Sequence, residues 1–466
     1  MKKSKDKKFY ITTSIAYTNA NPHIGFALES IQADVLARHN RSLGKDVFFL
    51  TGTDEHGQKI KKAASEAGKT SADFIEEIVK KFKLLKTSLN LSNDDFIRTT
   101  DKVKHWPSVI KAWNNLKENG DLEKKTYKGL YCVGCEAFIK EKDLIDGKCP
   151  IHGKIPEVIE EENWFFLLSK YTDRIKEALS SGEVQIIPDS KKNEMLTFLN
   201  EGLEDISFSR SKESLSWGIP VPGDEGQIMY VWADALTNYI SALGFDKDSK
   251  EFKKYWPADV QCVGKDILKF HSLIWIGMLL SLGLELPKKI FVHGFITADG
   301  KKMSKSLGNV ISPEELVDKY GTDAVRYFLL REIPSSEDGD FSYERFEERF
   351  NGELANGLGN LVSRTITLAN KLDKISTKGE DRFIKAVEEA RKKVNFSLDS
   401  FKFNEGLKHI WELISLCDKY IGEEKPWENV EEKKKVIENI LFVLNNISDL
   451  LYPFLPNTSE EIKEIV

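Results

Sequence analysis

Two short segments of this chain carry residue types that suit a polyphosphate. Pro22-His23-Ile24-Gly25 sits where a strand-like run passes into a helical pattern. A helix N-terminus there offers unpaired backbone N–H groups and a positive dipole end to an anion, and Gly25 removes a side chain where a nucleotide would come close. About 280 residues downstream, Lys301-Lys302-Met303-Ser304-Lys305-Ser306 forms a cationic turn between Gly300 and Gly308. Lysines separated by small residues, with glycines as hinges, can close over phosphate and neutralise charge that grows in a transition state. Each segment alone has a plain reading, as a satisfied loop histidine and as a solvated charged loop. As a pair they suit an enzyme that clamps a nucleoside triphosphate.

A third constellation is Cys132-x2-Cys135-x13-Cys149-x2-His152, which has the ligand types and paired short spacings of a tetrahedral zinc knuckle. The alternative is a set of thiols or a disulfide with a bystander histidine. Four protein ligands would close the metal's coordination, so one structural rather than catalytic zinc is expected. Other nucleotide motifs fail. Gly68-Lys69-Thr70 has Ala63 where a phosphate-binding loop needs its first glycine, and no GxGxxG follows the first strand, which disfavours a nicotinamide or flavin enzyme. Asp54 and Asp266 each follow an apolar strand-like run, so they are carboxylates at the mouth of a sheet or helix caps. Tyr17, Trp232, Tyr239 and Trp275 read by composition alone as core aromatics.

These groups need elements to position them. Residues 9–16 alternate as a strand, Ile24, Leu28, Ile31 and Val35 recur at helical spacing, and Val47-Phe48-Phe49-Leu50 is a buried-strand run. Strand, helix and strand make a βαβ unit and therefore a parallel sheet with a right-handed crossover. Thr53-Asp54-Glu55-His56-Gly57 leaves the carboxyl end of its second strand, where open α/β sheets bind ligands. Apolar patterns resume at Gln227–Trp232, Leu268–Leu282 and Phe291–Ile296, the last read as one strand feeding the lysine turn. Ser312-Pro313-Glu314-Glu315 is a capping box with proline at the first helical position. Beyond residue 351 the pattern is helical, interrupted by Pro426, Pro453 and Pro456.

The expected fold class is α/β: a Rossmann-like parallel-sheet catalytic domain split over 1–116 and 226–286, with a zinc-binding connective insertion at 117–225. A lysine-loop segment at 287–350 and an α-helical bundle at 351–466 follow. At 466 residues the chain exceeds one ordinary core. No apolar run reaches bilayer length, and the basic start lacks the apolar stretch of a signal peptide, so no membrane partner and a cytoplasmic location are expected. Net charge is −6, from 68 basic and 74 acidic side chains, which by itself argues weakly against a nucleic-acid partner and does not exclude a local basic face.

With these residues in view, the chain resembles the methionyl-tRNA synthetases, a family of class I aminoacyl-tRNA synthetases. The two class signatures correspond to His23-Ile24-Gly25-Phe26 and Lys302-Met303-Ser304-Lys305-Ser306. Further family blocks match Ala16-Tyr17-Thr18-Asn19, Thr53–Gly57, Tyr230–Ala235, Gly264-Lys265-Asp266-Ile267 and Phe270-His271-Ser272. The resemblance implies ATP-dependent activation of methionine to methionyl-adenylate, with pyrophosphate released. Transfer to the terminal adenosine of tRNA(Met), initiator tRNA included, would follow. It implies a methionine site of Ile15, Tyr17, Asp54, Trp232, Ala235, Leu236, Tyr239, Ile267 and His271, with Asp54 holding the ammonium group. It also implies ATP contacts from His23, Gly25, Glu29, Gly264, Asp266, Lys302 and Lys305, with Mg²⁺ alongside. His23, Lys302 and Lys305 would carry the catalysis, and Asn360, Arg364 and Trp427 would read the anticodon. A monomer is expected, because the chain stops with the bundle. The rivals are a class I synthetase for another apolar amino acid and a catalytically silent tRNA-binding protein. One position departs from the pattern: Phe26 stands where the signature usually has a second histidine, and phenylalanine cannot donate to phosphate. Loss of a donor that acts only in the transition state costs about 2.7–4 kcal/mol.

Overall fold

The computed structural model describes residues 7–134, 137–151, 153–303 and 308–466. Cys135, His152 and Lys305 lie outside the described residues. Two compact units emerge, the first from Met1–Asn21, Lys45–Leu84 and Asn93–Val292, the second from Pro22–Gly44, Leu85–Ser92 and His293–Val466.

The first unit is built on a parallel sheet. Strand Lys8–Thr12 pairs in parallel with Asp46–Asp54 on one side and Val260–Gly264 on the other, as the βαβ reading requires. The short strand Ala16–Tyr17 and the strand Asp95–Arg98 both pair with Asp46–Asp54. Lys289–His293 extends the sheet and takes Gln185–Ile187 at its edge. That edge strand comes from within the stretch read as an insertion, so 117–225 is not wholly separate from the sheet. Central strands are buried on both faces, which explains continuous apolar runs such as Tyr10-Ile11 and Phe49-Leu50.

Within 117–225 a long antiparallel pair, Leu122–Cys132 with Glu157–Phe166, reaches out to the cysteine cluster. Just before Cys149 the chain reverses through Asp146 and Gly147, at φ 50° and 72°, and Ile145 bridges Lys148. Positive φ at two successive residues is the signature of a tight type I′ turn.

The second unit is mostly helical. Helix Ile24–Ser42, which follows the first strand in the chain, groups with this unit. The reason is a buried polar knot. Asp34 accepts from Arg38 Nε and Arg326 Nη2 at 2.8 Å each, and from the Ser92 backbone N and hydroxyl at 2.6 Å. Arg326 also donates to the carbonyls of Leu89, Pro453 and Phe454 at 2.7–3.0 Å. Helices Pro313–Tyr320 and Thr322–Arg331 lead into helices Asn360–Ala369, Asp381–Asp399, Phe403–Glu424, Lys434–Leu451 and Pro456–Ile465. Ser312 caps the first of these through Glu315 N with Pro313 at its start, as the capping box requires. The run Phe291–Ile296 is not one strand. It breaks at Gly294 into Lys289–His293 and Ile296–Ala298, because a Cβ at Gly294 would lie 2.2 Å from the Glu337 backbone.

Candidate functional site

Parallel pairing aligns strand ends, and of the expected methionine residues Ile15, Tyr17 and Asp54 lie at the carboxyl ends of neighbouring strands. Thr12 is in register with Leu50 and Gln261, so the chain leaving the three strands carries Ile15, Asp54 and Gly264 off the same edge. Tyr17 is the register partner of Asp54, and Thr18 donates to the Asp54 carbonyl through its N and its hydroxyl at 3.0 and 3.1 Å. Asp54 is 8% exposed. Its neighbour Glu55 is buried and takes both Arg98 Nε and Nη2, at 2.8 and 3.0 Å, which fixes the loop that presents Asp54.

Trp232 and Ala235 share the short helix Val231–Ala235, and Leu236 follows it. Ile15, Tyr17, Trp232 and Ile267 are half-buried against the core that contains Leu236 and Tyr239. A π-helical turn at Phe270–Trp275 sets Phe270 flat on Trp232, with ring centres 3.8 Å apart and planes 8° off parallel. The same turn sets His271 edge-on to Trp232 at 6.3 Å. Phe270 thus covers Trp232, although the sequence marks it only as part of a motif. Its one visible signal is its place beside His271. Asp266 lies exposed just after the strand Val260–Gly264, whose last residue Gly264 is buried.

His271 is fully enclosed. Its Nδ1–H donates to the Ile267 carbonyl at 3.0 Å, which leaves Nε2 to accept from the Tyr239 hydroxyl at 2.7 Å. Burial pushes its pKa down to about 4, so the wall is uncharged at neutral pH. The unfolded chain takes a proton near pH 6.5 and the folded chain only near 4, so stability rises with pH between those values. The contribution is complete above pH 6.5, and about 2 kcal/mol of it is gone by pH 5. Urea unfolding at pH 7 and pH 5 should therefore differ by that amount in the native chain and by clearly less in His271→Gln. An equal difference in both proteins would contradict this assignment.

In the second unit, His23 is the N-cap of helix Ile24–Ser42, with Nδ1 accepting from Gly25 N at 3.0 Å. Gly25 is needed for that cap: a Cβ there would sit 2.8 Å from the imidazole. The freedom expected there for a nucleotide is thus used first by His23 itself. The next free N–H, of Ile24, goes to the Ile311 carbonyl at 3.1 Å, so the segment beyond the lysine turn is tied to the start of this helix. Phe26 is half-buried, and its N donates to the His23 carbonyl at 3.0 Å.

The lysine turn opens as a strand, which the sequence reading does not expect. Lys301–Lys302 forms a strand antiparallel to Ile296–Ala298, closed by Asp299 and Gly300 at φ 51° and 71°. Gly300 is therefore a hairpin-turn residue rather than a hinge, and its N donates to Asp340 Oδ1 at 2.8 Å. Lys302 is exposed on that strand. Glu29, expected at the ribose, is 4% exposed and meets His293 Nε2 at 2.8 Å, while His293 Nδ1 donates to the Gly294 carbonyl at 2.8 Å. No spacing in the sequence pairs residues 29 and 293.

At the tip of the long hairpin, Cys132 and Cys149 are buried at 2% and 1%. The Cys149 turn closes through Gly153 N to the Cys149 carbonyl at 2.7 Å and Cys149 N to the Lys154 carbonyl at 2.8 Å. In the helical region Asn360 and Arg364 lie one turn apart on helix Asn360–Ala369. The Arg364 guanidinium lies 5.3 Å from the Trp427 ring centre, and Trp427 is 48% exposed.

The chain matches the model of "tRNA synthetases class I (M)" over residues 9–151 and 134–366. It matches "Anticodon-binding domain of tRNA ligase" over 381–465. It is 46% identical to the methionine–tRNA ligase of Caldanaerobacter subterraneus subsp. tengcongensis, over 98% of this chain and 74% of that protein. It is 44% identical to that of Thermotoga maritima, with the same shares. Among solved structures it is similar to Mycobacterium tuberculosis methionyl-tRNA synthetase in complex with methionyl-adenylate. The TM-score there is 0.93 and the identity 37%, covering 98% of this chain and 93% of that one. A class I catalytic domain on a parallel sheet, followed by a helical anticodon domain, agrees with every element described above, and the chain belongs to the methionyl-tRNA synthetase family.

Proposed function

We propose that this chain is a methionine–tRNA ligase. In the first step a methionine carboxylate oxygen bonds to the α-phosphorus of ATP, and the bond to pyrophosphate breaks. In the second, the 2′-hydroxyl of the tRNA's terminal adenosine attacks the adenylate carbonyl and AMP leaves. The observation that carries this reading is the pairing, in one unit, of a buried carboxylate with an uncharged aromatic wall. An α-amino acid whose side chain is a polarizable thioether needs both, the first for its ammonium and the second for its sulfur. Asp54 takes the ammonium, and Ile15, Tyr17, Trp232, Ala235, Leu236, Tyr239, Ile267 and His271 enclose the side chain.

ATP is contacted by His23, Gly25, Glu29, Gly264, Asp266, Lys302 and Lys305. His23, at the start of its helix, donates to phosphate, and Lys302 and Lys305 offset the negative charge of the in-line transfer. Mg²⁺ would accompany the phosphates, and it supplies charge neutralisation there. No covalent enzyme intermediate is needed: positioning and charge stabilisation suffice. A reaction that feeds the ribosome belongs in the cytoplasm.

The test is methionine-dependent ATP–pyrophosphate exchange by the purified protein across a panel of amino acids. Exchange with methionine above all others is expected, with Lys305→Ala losing it while methionine affinity stays nearly unchanged. Preference for leucine or valine would favour a different class I synthetase. An absence of exchange with any amino acid would leave a silent tRNA-binding scaffold, with Phe26 as the reason.

Cys132, Cys135, Cys149 and His152 would hold one zinc ion, which cross-links the hairpin tip. The donor chemistry fits. Ile145, Ile151 and Ile155 nearby are 64%, 55% and 74% exposed, so these described residues of the tip add little apolar core, yet its two described thiols are buried. A metal staple accounts for that combination. Elemental analysis of protein prepared without chelator should find about one zinc per chain; a metal-free, fully active preparation would sink the knuckle.

Asn360, Arg364 and Trp427 would read the anticodon, since an amide, a guanidinium and an exposed aromatic face are what unstacked bases require. Trp427→Ala should weaken tRNA charging by about fivefold or more, from the 1–3 kcal/mol that one base–aromatic stack is worth. Pyrophosphate exchange should stay intact. Equal loss of both activities would mean that Trp427 acts through folding.

A further inference from the structure

Three buried side chains outside the assigned site meet in the first unit. Asp234, 1% exposed, uses both oxygens on imidazoles: Oδ2 accepts from His56 Nδ1 at 2.6 Å and Oδ1 from His105 Nε2 at 2.7 Å. His105 is wholly buried and gives its other nitrogen to Ser241 Oγ at 2.7 Å. Burial by itself pushes the Asp234 carboxyl up, but the two imidazoles outweigh it and hold the group below the ordinary carboxylate range. A carboxylate buried this deeply is costly unless its partners stay in place, so the three groups hold one another in fixed geometry.

What the cluster joins gives it a role. His56 is two residues beyond Asp54, on the loop leaving strand Asp46–Asp54, and Asp234 lies on the short helix that carries Trp232. One carboxylate therefore links the group that takes the ammonium end of the substrate to the group that walls its thioether end. His105, at the start of helix Trp106–Glu118, braces the link from behind.

We propose that Asp234, clamped by His56 and His105, is a positioning residue that sets the spacing between Asp54 and Trp232, and so the length of amino acid the site accepts. This rests on the assignment of Asp54 and Trp232 to methionine. Such a device needs no contact with the substrate. Its loss lets the loop and the helix drift apart, and a displacement of about 1 Å at a binding site costs on the order of a hundredfold. Length discrimination suffers with it, because one methylene in an apolar site is worth only about 1–3 kcal/mol when the walls are fixed.

The experiment is pyrophosphate exchange with methionine and with ethionine, one methylene longer, at active-site concentrations fixed by titration. In Asp234→Asn the KM for methionine should rise at least tenfold, the KM for ATP should stay within twofold, and the preference for methionine over ethionine should fall severalfold. His105→Leu should show the same pattern more weakly. His105→Gln, whose amide nitrogen can still donate to Asp234, should restore most of the native KM. This second pair decides the matter if Asp234→Asn does not fold.

A purely structural role would lower the concentration of active sites and leave the KM values and the preference unchanged; that result would overturn the proposal. So would parallel changes in the KM values for methionine and ATP. If the native protein shows no methionine-dependent exchange at all, the assignment of the site itself fails. Unaltered kinetics in the variants of an active native enzyme remove only the role of the clamp.

Discussion

Replacing Asp54 with asparagine raises the methionine concentration needed for half-maximal pyrophosphate exchange by about a hundredfold or more. Removing one partner of a buried ion pair costs about 3–5 kcal/mol, because the other charge is left desolvated and uncompensated, and each 1.4 kcal/mol is a factor of ten in affinity. Asp54 meets the conditions for a cost of that size. It is almost wholly buried, its loop is pinned by the Glu55–Arg98 pair, and Tyr17 lies in register beside it. Asparagine keeps the shape and removes the charge, so the KM for ATP should stay near its native value. Steady-state exchange with each substrate varied in turn measures both quantities. A methionine KM within threefold of native would remove Asp54 from the site.

The second large effect is on stability. Arg326→Ala should lower the unfolding free energy of the second unit by about 3–5 kcal/mol, measured by urea denaturation followed by circular dichroism. Arg326 is fully buried and serves three carbonyls as well as Asp34. Its removal orphans those acceptors and leaves Asp34 with Arg38 as its remaining charge partner. Arg326→Lys should recover little, since one ammonium cannot span four acceptors. The knot also has a pH signature. Burial pushes the Asp34 carboxyl up, but Arg326 and Arg38 more than offset this and hold it below its usual range. Its stabilisation is thus complete above about pH 4 and is lost as the pH falls through the depressed folded value. In Arg326→Ala the acid-unfolding midpoint should move upward. A loss below 1 kcal/mol with an unmoved midpoint would show that the knot is dispensable.

How much of this was legible beforehand depended on the range of the interaction. The helix from Ile24, the parallel pairing of Lys8–Thr12 with Asp46–Asp54 and the cap at Ser312 follow from local spacing and local hydrogen bonds, and each was readable. The lysine segment opens as a hairpin, not as the hinged loop that its glycines suggest, because Asp299-Gly300 is a type I′ turn sequence that closes the strand pair. The break at Gly294 was not readable, because its cause is the Glu337 backbone more than forty residues away. Phe270 on Trp232 depends on a π-helical turn, for which the sequence carries no periodic signal.

By itself, then, the amino-acid order marked candidate phosphate and metal groups and the strand ends and helix starts that present them, while the methionine site rested on the family resemblance. Those features are local, set by neighbours within a turn or a strand. Tertiary structure alone decided the charge state and the spacing of the site. His271 is neutral because burial removes water from it, Glu29 meets His293, and Asp234 draws His56 and His105 together from distant parts of the chain. Desolvation and long-range pairing depend on what the whole fold encloses, and a linear pattern carries no record of that.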